Sequence, residues 1–401
     1  MSILETSVVI VGGGVAGGSL ACALAHRGIP SILIERLKAA VDLNRGDGMQ
    51  PRSLEIMEEW GLLPTFIERG ALPTYGSEVH HPALGQLVEI DLSVVKTKHP
   101  YLLNLPHPQI EALLLEHAQA SGYCKVIRGA VTEVLYADGR ATGVKAKTDD
   151  GELTVMARLV AGADGSQSMI RKSAGIDAPA QPYAHDMLVL HAKRPKWFTG
   201  RLRTRAYMNR KGAVVLLPLP NDNVRIAMLV EAGSGAKFRN LSTEALHHEL
   251  TDRLPLLSDL QGLERHGEHL YRMQKMHVTR YADKGVVLLG DSAHVTHPAA
   301  GQGMNMALQD ADTLAAEIAR ALKGGGRLDE ALVRYEGIRR PINQGVIDRA
   351  NFMAWQLWAP SIPAFVGRTL YAGTLKYLLP FIYRRITASI AWGVAGVTPQ
   401  A

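Results

Sequence analysis

The feature that most constrains the fold is a glycine-rich loop near the N-terminus. A β-branched run from Thr6 to Val11 leads into Gly12-Gly13-Gly14-Val15-Ala16-Gly17-Gly18, which is followed by a helical apolar pattern. A second apolar run, Ser31 to Ile34, ends in Glu35. Glycines at this spacing let the backbone approach a pyrophosphate, and an acid at the tip of the next strand can accept a hydrogen bond from a ribose hydroxyl. We therefore predict a dinucleotide-binding βαβ unit, with cofactor contacts at Gly12, Gly14, Val15, Ala16 and Gly17.

Two more strand-like runs also end in an acid beside a glycine. Residues 160–163 lead into Asp164-Gly165, and Val286 to Leu289 lead into Gly290-Asp291. The carboxyl ends of strands are where open α/β sheets bind their ligands. Behind Asp291 a Pro/Gly turn, Pro298 to Gly303, precedes a helical pattern, so unpaired N–H groups at a helix start would face the ligand. A cofactor with a pyrophosphate, a ribose and a second polyol would use all three sites. FAD has these groups, whereas NAD lacks the ribityl chain.

Local signals predict further elements. Val126 to Val134, Gly143 to Thr148 and Leu153 to Leu159 alternate as an antiparallel ribbon does. Ser53 precedes an apolar helical pattern and is expected to cap that helix. A charged helix is expected around Glu330 to Arg340.

Between the motifs the chain loses its alternation of strands and helices. Residues 183–275 contain several runs typical of an antiparallel sheet, and residues 76–100 contain short extended pieces. Such a sheet usually forms one wall of a substrate cavity at a domain junction.

Composition excludes several classes of protein. The chain has 401 residues and a net charge of +6, without a dense Lys/Arg block, so a nucleic-acid partner is not expected. Its two cysteines, Cys22 and Cys124, cannot form a disulfide framework and do not have a metal-binding spacing, so no metal is expected. The N-terminus carries Glu5 and no basic region before its apolar run, which indicates a cytoplasmic protein without a signal peptide.

The C-terminal segment is rich in aromatic residues. Residues 351–401 hold three of the five Trp and three of the six Phe. The uncharged run 350–367 contains Pro360 and Pro363 and is shorter than the ~20 apolar residues of a spanning helix. Three interpretations remain open: a helical cap on the cofactor domain or on a homodimer partner, an interfacial surface that contacts a membrane from one side, or a lining for an apolar substrate.

The three motifs, in this order, resemble those of the class A flavoprotein monooxygenases, the para-hydroxybenzoate hydroxylase-like family. The resemblance covers residues 6 to about 340, from the glycine loop through Asp164-Gly165 to Gly290-Asp291. It implies bound FAD, NADPH or NADH as co-substrate, and dioxygen. It also implies a flavin hydroperoxide that hydroxylates an aromatic or electron-rich small molecule. The alternatives are an epoxidase or hydroxylase of an apolar isoprenoid-like substrate at a membrane, a flavin reductase, and a flavin-bound scaffold without turnover.

The resemblance also implies the architecture. The expected fold class is α/β: a Rossmann-like FAD-binding domain, an inserted antiparallel-sheet substrate domain and a C-terminal helical segment. The expected FAD-binding domain comprises residues 1–75, 101–182 and 276–340. The substrate domain comprises residues 76–100 and 183–275, and the helical cap comprises residues 341–401.

Roles for single residues follow from the same resemblance. Glu35 would bind the adenosine ribose with Arg36 beside it, and the backbone at Val131 would meet the adenine. Asp164 would hold the turn near the pyrophosphate, and Asp291 would accept a hydrogen bond from the ribityl chain. The residues expected near the flavin ring or its phosphates are Arg45, Gln50, His107, Pro298, Gly301, Gly303, Met304 and Asn305.

Three of these assignments leave alternatives open. Arg45 could bind phosphate or be a solvated loop charge. His107 stands where many members carry Gln or Arg, and it could contact the flavin or stabilise a proline-bounded turn. The candidate catalytic residues are His297, Pro298 and Arg45, although a single histidine such as His297 is more often structural.

Overall fold

The computed structural model describes residues 2–38, 48–264, 270–358, 360–378 and 380–392. The helices, in chain order, are α1 Val15–His26, α2 Pro51–Glu59, α3 Leu63–Glu68, α4 His107–Ala120, α5 Met169–Ser173, α6 Gly235–Arg239, α7 Thr243–Arg253, α8 Gly303–Lys323, α9 Leu328–Leu357, α10 Ile362–Leu378 and α11 Pro380–Trp392. The strands are β1 Ser2–Val11, β2 Ser31–Glu35, β3 Gly48–Met49, β4 Leu72–Thr74, β5 Gly76–His81, β6 Gly85–Asp91, β7 Leu102–Asn104, β8 Cys124–Ala137, β9 Arg140–Thr148, β10 Gly151–Gly162, β11 Ala180–Pro182, β12 His185–Lys193, β13 Thr204–Tyr207, β14 Val214–Leu219, β15 Asn223–Glu231, β16 Leu270–Tyr271, β17 Gln274–His277, β18 Ala282–Asp283, β19 Val286–Leu288 and β20 His294–Val295.

The first sheet carries the three strand-end motifs side by side. β1 lies between β2 and β10, β19 follows β10, and all four strands are parallel. The predicted antiparallel ribbon is confirmed as β8, β9 and β10. Its third strand and the run that ends before Asp164 are one continuous strand, β10, so the ribbon belongs to the main sheet. Helices α1, α4, α8 and α9 pack together beside this sheet, and the largest apolar core lies there.

The second sheet has the order β16-β12-β15-β14-β13-β5-β6 and is antiparallel except for the β13–β5 pair. Alternate residues such as Leu188, Leu216 and Ile226 are fully buried in a separate core with α7. The register places Val189, Ala227 and Val215 in one row on the opposite face. The central strands of this sheet therefore have two apolar faces. Only one of these faces packs against α7.

Helix α9 is longer than predicted. The helix expected to end around Arg340 continues to Leu357, with Pro341 inside it. Proline normally ends or kinks a helix because it lacks an N–H group. Here Arg339 and Asn343, on either side of Pro341, both bind the carboxylate of Asp310 in α8. Tertiary contacts thus hold the helix across the proline.

Helix α10 packs on the second sheet, and α11 contacts both the end of that sheet and helix α2. Ala372 and Leu375 of α10 form a small core with Val88 of β6, and Tyr383 of α11 donates to the Glu89 carbonyl at 2.8 Å. The C-terminal helices therefore contact both parts of the chain, and the cap on the cofactor domain stays a prediction. In the described part of the chain, no helix has the length and apolar content needed to cross a bilayer.

Candidate active site

The glycine loop after β1 has a backbone that side chains would disrupt. Gly12 has φ +102°, and a Cβ there would lie 2.4 Å from the Ala163 carbonyl oxygen. A Cβ on Gly17 would lie 1.9 Å from the Gly12 carbonyl oxygen, so this glycine permits the close contact between strand and helix. Helix α1 begins at Val15 with Gly14 as its N-cap, and therefore presents its first N–H groups without a side-chain cap. Such a helix end binds anions.

Glu35 lies against the same loop. One of its carboxylate oxygens accepts from the Gly13 N–H at 2.5 Å, and the other accepts from the Leu37 N–H at 2.6 Å. The neighbouring Arg36 is exposed. Val131 lies in β8 just beyond Arg128, which pairs with Glu35, so it is at the same edge of the sheet. The acid predicted to bind a ribose is thus placed directly beside the glycines.

Asp164 organises the turn after β10. Its carboxylate accepts from the N–H groups of Met169 at 2.7 Å and Ile170 at 3.1 Å, and from the Ser168 hydroxyl at 2.5 Å. Ser168 is also the N-cap of α5. Asp164 therefore fixes the turn that the Gly12 backbone packs against.

Gly290 brings the third motif to the first. It has φ +61°, and a Cβ there would lie 2.6 Å from the Ala16 Cβ of α1 and 3.3 Å from the Ala307 Cβ of α8. Only glycine fits where these two helices converge on the end of β19. Asp291 follows on a short helical turn and is partly exposed. It is thereby held near the start of α1.

The loop from Pro298 to Asn305, called the 298–305 loop below, is tied to Gln50. The Gln50 side-chain amide donates to the Gly301 carbonyl at 3.1 Å, and the Gln50 backbone N–H donates to the Asn305 side-chain oxygen at 2.8 Å. Asn305 in turn donates to the carbonyls of Gly301 at 2.9 Å and Gly48 at 3.0 Å. Gly301 is left-handed, with φ +59°. Two distant predicted segments therefore form one rigid unit.

Helix α8 begins inside this loop, at Gly303, with Met304 half-buried in its first turn. Within the described residues, the buried amide oxygens of Gln50 and Gln302 have no protein hydrogen-bond partner. Buried acceptors of this kind normally bind a donor. An isoalloxazine ring offers both an N–H donor and carbonyl acceptors, so these oxygens and the first N–H groups of α8 fit FAD.

His107 faces the glycine loop. Its Nε2 lies 3.2 Å from a carboxylate oxygen of Glu111, and that oxygen is 3.3 Å from where a Cβ on Gly14 would be. The structure therefore brings His107 to the side of the predicted pyrophosphate. Arg45, also predicted for this region, lies outside the described residues.

Ser53 does not cap helix α2. The helix begins at Pro51 with Gln50 as N-cap, so Ser53 lies inside its first turn. Proline is favoured at the first helical position because it has no N–H group to lose. The hydrogen bond from the Gln50 N–H to Asn305 fixes the start of α2. Because these residues are far apart in the chain, a local sequence pattern could not predict this start.

His297 forms a buried pair that the sequence did not suggest. Its Nε2 lies 2.9 Å from Nε2 of His185, the first residue of β12, and its Nδ1 accepts from the Ala299 N–H at 3.1 Å. Neutral His297 therefore carries its proton on Nε2 and donates to His185. The Tyr183 ring packs on His297 with centroids 4.9 Å apart, and the Trp358 ring lies 5.3 Å from that of His185. Histidine in a strand pattern carries no signal of such a partner.

Burial keeps both histidines neutral. It lowers the pKa of His297 to about 3 and the pKa of His185 to about 4. The two side chains join the loop at Pro298 to β12 of the second sheet. A neutral imidazole pair at this point can hold a polar group through hydrogen bonds.

A second buried network supports the 298–305 loop from behind. Asp310 of α8 accepts from Arg339 at 2.8 Å and from Asn343 at 2.9 Å, and it pairs with His294 at 2.6 Å. It also accepts from the Gly290 N–H at 3.3 Å. Burial alone would raise the pKa of Asp310, but His294 and Arg339 outweigh it and hold that pKa well below the usual range. The buried charge is therefore fully paired.

Comparisons with known proteins agree with this geometry. A family model described as FAD binding domain matches residues 5–350. The chain is 32% identical over 354 residues to an uncharacterized aromatic compound monooxygenase of Bacillus subtilis, which covers 86% of this chain and 67% of that protein. It is 28% identical over 434 residues to a ubiquinone hydroxylase of Rhodospirillum rubrum, with 98% and 91% covered. The p-nitrophenol 4-monooxygenase from Pseudomonas putida shares the fold with a TM-score of 0.83 at 20% identity, covering 98% of this chain and 99% of that one.

The chain therefore belongs to the FAD-binding class A flavoprotein monooxygenases, the para-hydroxybenzoate hydroxylase-like family. It is a FAD-dependent monooxygenase that uses NAD(P)H and dioxygen on a small-molecule substrate.

Proposed function

We propose that this monooxygenase hydroxylates a neutral, electron-rich aromatic ring such as a phenol. The observation that carries the proposal is the face of the second sheet that points away from α7, called the inner face below. In its central strands the apolar side chains of the inner face include Met187, Val189, Val215, Leu217 and Ala227. Four of these side chains are only partly buried, although their strands lie in the middle of a seven-stranded sheet. An apolar face of this kind favours an apolar ring.

Contacts at both ends support placing this face opposite the 298–305 loop. At one end His185, on the same face as Met187, binds His297 beside Pro298. At the other end the Asn104 side-chain amide donates to the Pro218 carbonyl at 2.9 Å. Asn104 also pairs with Gly48 across the small sheet of β3, β7 and β4. The Gly48 carbonyl in turn accepts from Asn305. These contacts support a substrate space between the inner face and the loop.

The charge distribution favours an uncharged substrate. Arg225 lies directly opposite Leu217, at the end of the inner face away from His185, and its buried guanidinium already donates to Nε2 of His191 at 3.0 Å. A carboxylate placed over Val215 or Ala227 would lose its hydration against methyl groups, which is costly. The relatives named for an aromatic compound and for ubiquinone support a ring as the substrate class.

The roles of the cofactor-binding residues are part of the proposal. FAD, when bound, supplies the redox and oxygen-activating chemistry. Glu35 would bind the adenosine ribose with Arg36 beside it, and Asp291 would bind the ribityl chain. The pyrophosphate would lie on the glycine loop, near His107, Asp164 and Arg45. The adenine and the flavin ring would be held by Val131, Gln50, Pro298, Gly301, Gly303, Met304 and Asn305.

The histidine pair would position the substrate. Since His297 donates to His185, the Nδ1–H of His185 is the remaining donor of the pair. With pKa values lowered to about 3 and about 4, neither histidine is a strong base. The pair would therefore orient a substrate oxygen by a hydrogen bond at the Pro298 end of the chamber, and the ring would lie along the inner face. In the domain organisation expected from the sequence, the FAD-binding domain would then hold the cofactor and the substrate domain would hold the ring.

Oxygen uptake tests the proposal. We expect phenols to stimulate NADPH-dependent oxygen consumption and to yield hydroxylated products, and their carboxylated counterparts to stimulate it at least about tenfold less, because burying an unpaired carboxylate is costly. Equal stimulation by a phenol and its carboxylated partner would refute the neutral-ring assignment. A polyene that is epoxidised while phenols are inert would favour the isoprenoid alternative, and substrate saturation without oxygen uptake would identify a reductase.

The sequence left two macromolecular partners open for residues 351–401, a membrane surface and a second copy of the chain. We propose the membrane surface.

A further inference from the structure

The C-terminal helices expose a cluster of large apolar side chains. Eight of them, between 39% and 73% exposed, are Phe352, Trp355, Ile362, Val366, Leu370, Leu378, Phe381 and Ile382. We call this set the C-terminal patch. An exposed apolar group of this size normally marks a contact surface.

The patch is continuous across three helices. Ile362, Val366 and Leu370 follow one another at intervals of four along α10, while Ala372 and Leu375 on another side of the helix are buried against the second sheet. The end of α9 is joined to α10 in two places. Phe352 packs edge-on against Tyr371 with centroids 5.7 Å apart, and the Arg368 guanidinium lies 4.2 Å above the Trp355 ring. Leu378 and Phe381 connect α10 to α11.

The charge around the patch has one sign. From Arg349 to the C-terminus the sequence contains five basic residues and no acidic residue, so this segment holds +5 of the chain's net charge of +6. Arg384 and Arg385 are exposed and follow directly on Phe381 and Ile382. The combination of apolar side chains with nearby arginines is typical of surfaces that bind anionic lipid headgroups.

A second copy of the chain fits this surface poorly. Most homodimer interfaces are isologous, so each patch would face itself. The patch of the other copy carries the same excess of arginine, and neither segment holds an acidic residue to pair with Arg384 or Arg385. Like charges brought together in a buried interface are destabilising.

We propose that the C-terminal patch docks the enzyme on an anionic lipid bilayer. Its apolar side chains enter the boundary between headgroups and acyl chains, and Arg384 and Arg385 contact lipid phosphates. Docking would bring the substrate chamber near the lipid, because Trp358, at the end of α9, packs on His185 and the Leu357 carbonyl accepts from the Ala213 N–H at 3.4 Å. The docking surface is independent of the reaction that the enzyme catalyses.

Vesicle flotation of the full-length, FAD-loaded protein tests this. We expect the protein to float with vesicles of phosphatidylcholine that contain about one third phosphatidylglycerol, and to bind pure phosphatidylcholine at least about tenfold more weakly. Added salt should release it because the attraction is partly electrostatic. Leu370→Glu with Phe381→Glu should abolish flotation, and Arg384→Gln with Arg385→Gln should weaken it about thirtyfold, since each of the two basic residues contributes roughly 1 kcal/mol.

The matched control is Val333→Glu. Val333 is 72% exposed and lies on α9, roughly 30 Å before Phe352 at about 1.5 Å per residue, so this variant should float like the wild type. Failure of the wild type to float with anionic vesicles would overturn the proposal, as would wild-type flotation of the Leu370→Glu, Phe381→Glu variant. A dimer that the same variant converts to a monomer, without vesicle binding by the wild type, would assign the patch to a second copy. If the glutamate variant loses FAD, the arginine variant decides, because Arg384 and Arg385 are exposed.

Discussion

The 298–305 loop and the inner face of the second sheet lie on opposite sides of the proposed substrate space, and they are held in different ways. The loop is fixed by hydrogen bonds to backbone atoms, such as those from Gln50 to Gly301 and from Asn305 to Gly48. The inner face is defined by side chains, with Val215 and Ala227 set in register by strand pairing. Substitutions near the loop should therefore change cofactor retention and stability, whereas substitutions on the inner face should change substrate binding alone.

The largest effect is expected behind the loop, at Asp310. Asp310→Ala would leave Arg339 and His294 buried without their carboxylate, which typically costs about 3–5 kcal/mol in the free energy of unfolding. Chemical denaturation at neutral pH measures it. The control Glu133→Ala removes an exposed pair with Lys145 and should cost less than about 1 kcal/mol. Equal losses in the two variants would contradict a supporting role of the buried network.

Removal of the Asp291 carboxylate should release the cofactor without unfolding the chain. A hydrogen bond to a charged group contributes roughly 1.5–3 kcal/mol, so FAD affinity should fall at least about tenfold in Asp291→Ala. Flavin absorbance after gel filtration reports the retained FAD. Asp283→Ala, which removes a surface pair with Arg280 in the strand beside β19, should remain yellow. Wild-type flavin content in Asp291→Ala would show that the ribityl chain binds elsewhere.

The cofactor side could be predicted from the sequence because its requirements are local. A glycine is needed at Gly12 and Gly17 since any Cβ would meet backbone atoms, and an acid must follow a strand. These local requirements fix residue types at set spacings, which can be recognised in the sequence as a motif. The residues that hold the loop could not be predicted: Gln50 and Asn305 are 255 residues apart, and the start of α2 and the continuation of α9 through Pro341 depend on contacts between distant residues.

The substrate side left a weaker signal. Alternation predicted strands in residues 183–275, but both faces of those strands are apolar, and only the packing of α7 shows which face is covered. The pairing of His185 with His297 joins the first residue of β12 to the loop that follows β20. No short-range pattern requires it, so sequence reasoning found His297 alone.

The histidine pair, where the two sides of the site meet, should make stability depend on pH. Both folded-state pKa values, about 3 and about 4, lie below the usual value of 6.5. The unfolded chain therefore binds more protons as pH falls below 6.5, and stability should decrease from there toward pH 4 by up to about 1.4 kcal/mol per unit for each histidine. The histidine contribution should be constant above pH 7.

Denaturation curves of wild type and His297→Gln between pH 4 and 8 isolate this effect, because carboxylates contribute equally to both proteins. The variant should show a shallower decrease between pH 6.5 and 4. The neighbouring charge, Asp186, acts on His185 in the opposite direction by raising its pKa, but burial outweighs it. Parallel curves for the two proteins would mean that the pair is already protonated in the folded state.

The smallest effect is expected on the inner face itself. Val215→Ala removes two methyl groups from the proposed ring-binding face and should raise KM for the best phenol about fifteenfold, at roughly 0.8 kcal/mol for each buried carbon. FAD content and kcat should stay close to wild type. The matched control is the next residue, Leu216, which points into the core on the other face of the same strand. Leu216→Ala should lower the free energy of unfolding by about 2–5 kcal/mol but leave KM unchanged. If Leu216→Ala raised KM and Val215→Ala did not, the ring would lie on the other side of the sheet, and the inner face would have no role in substrate binding.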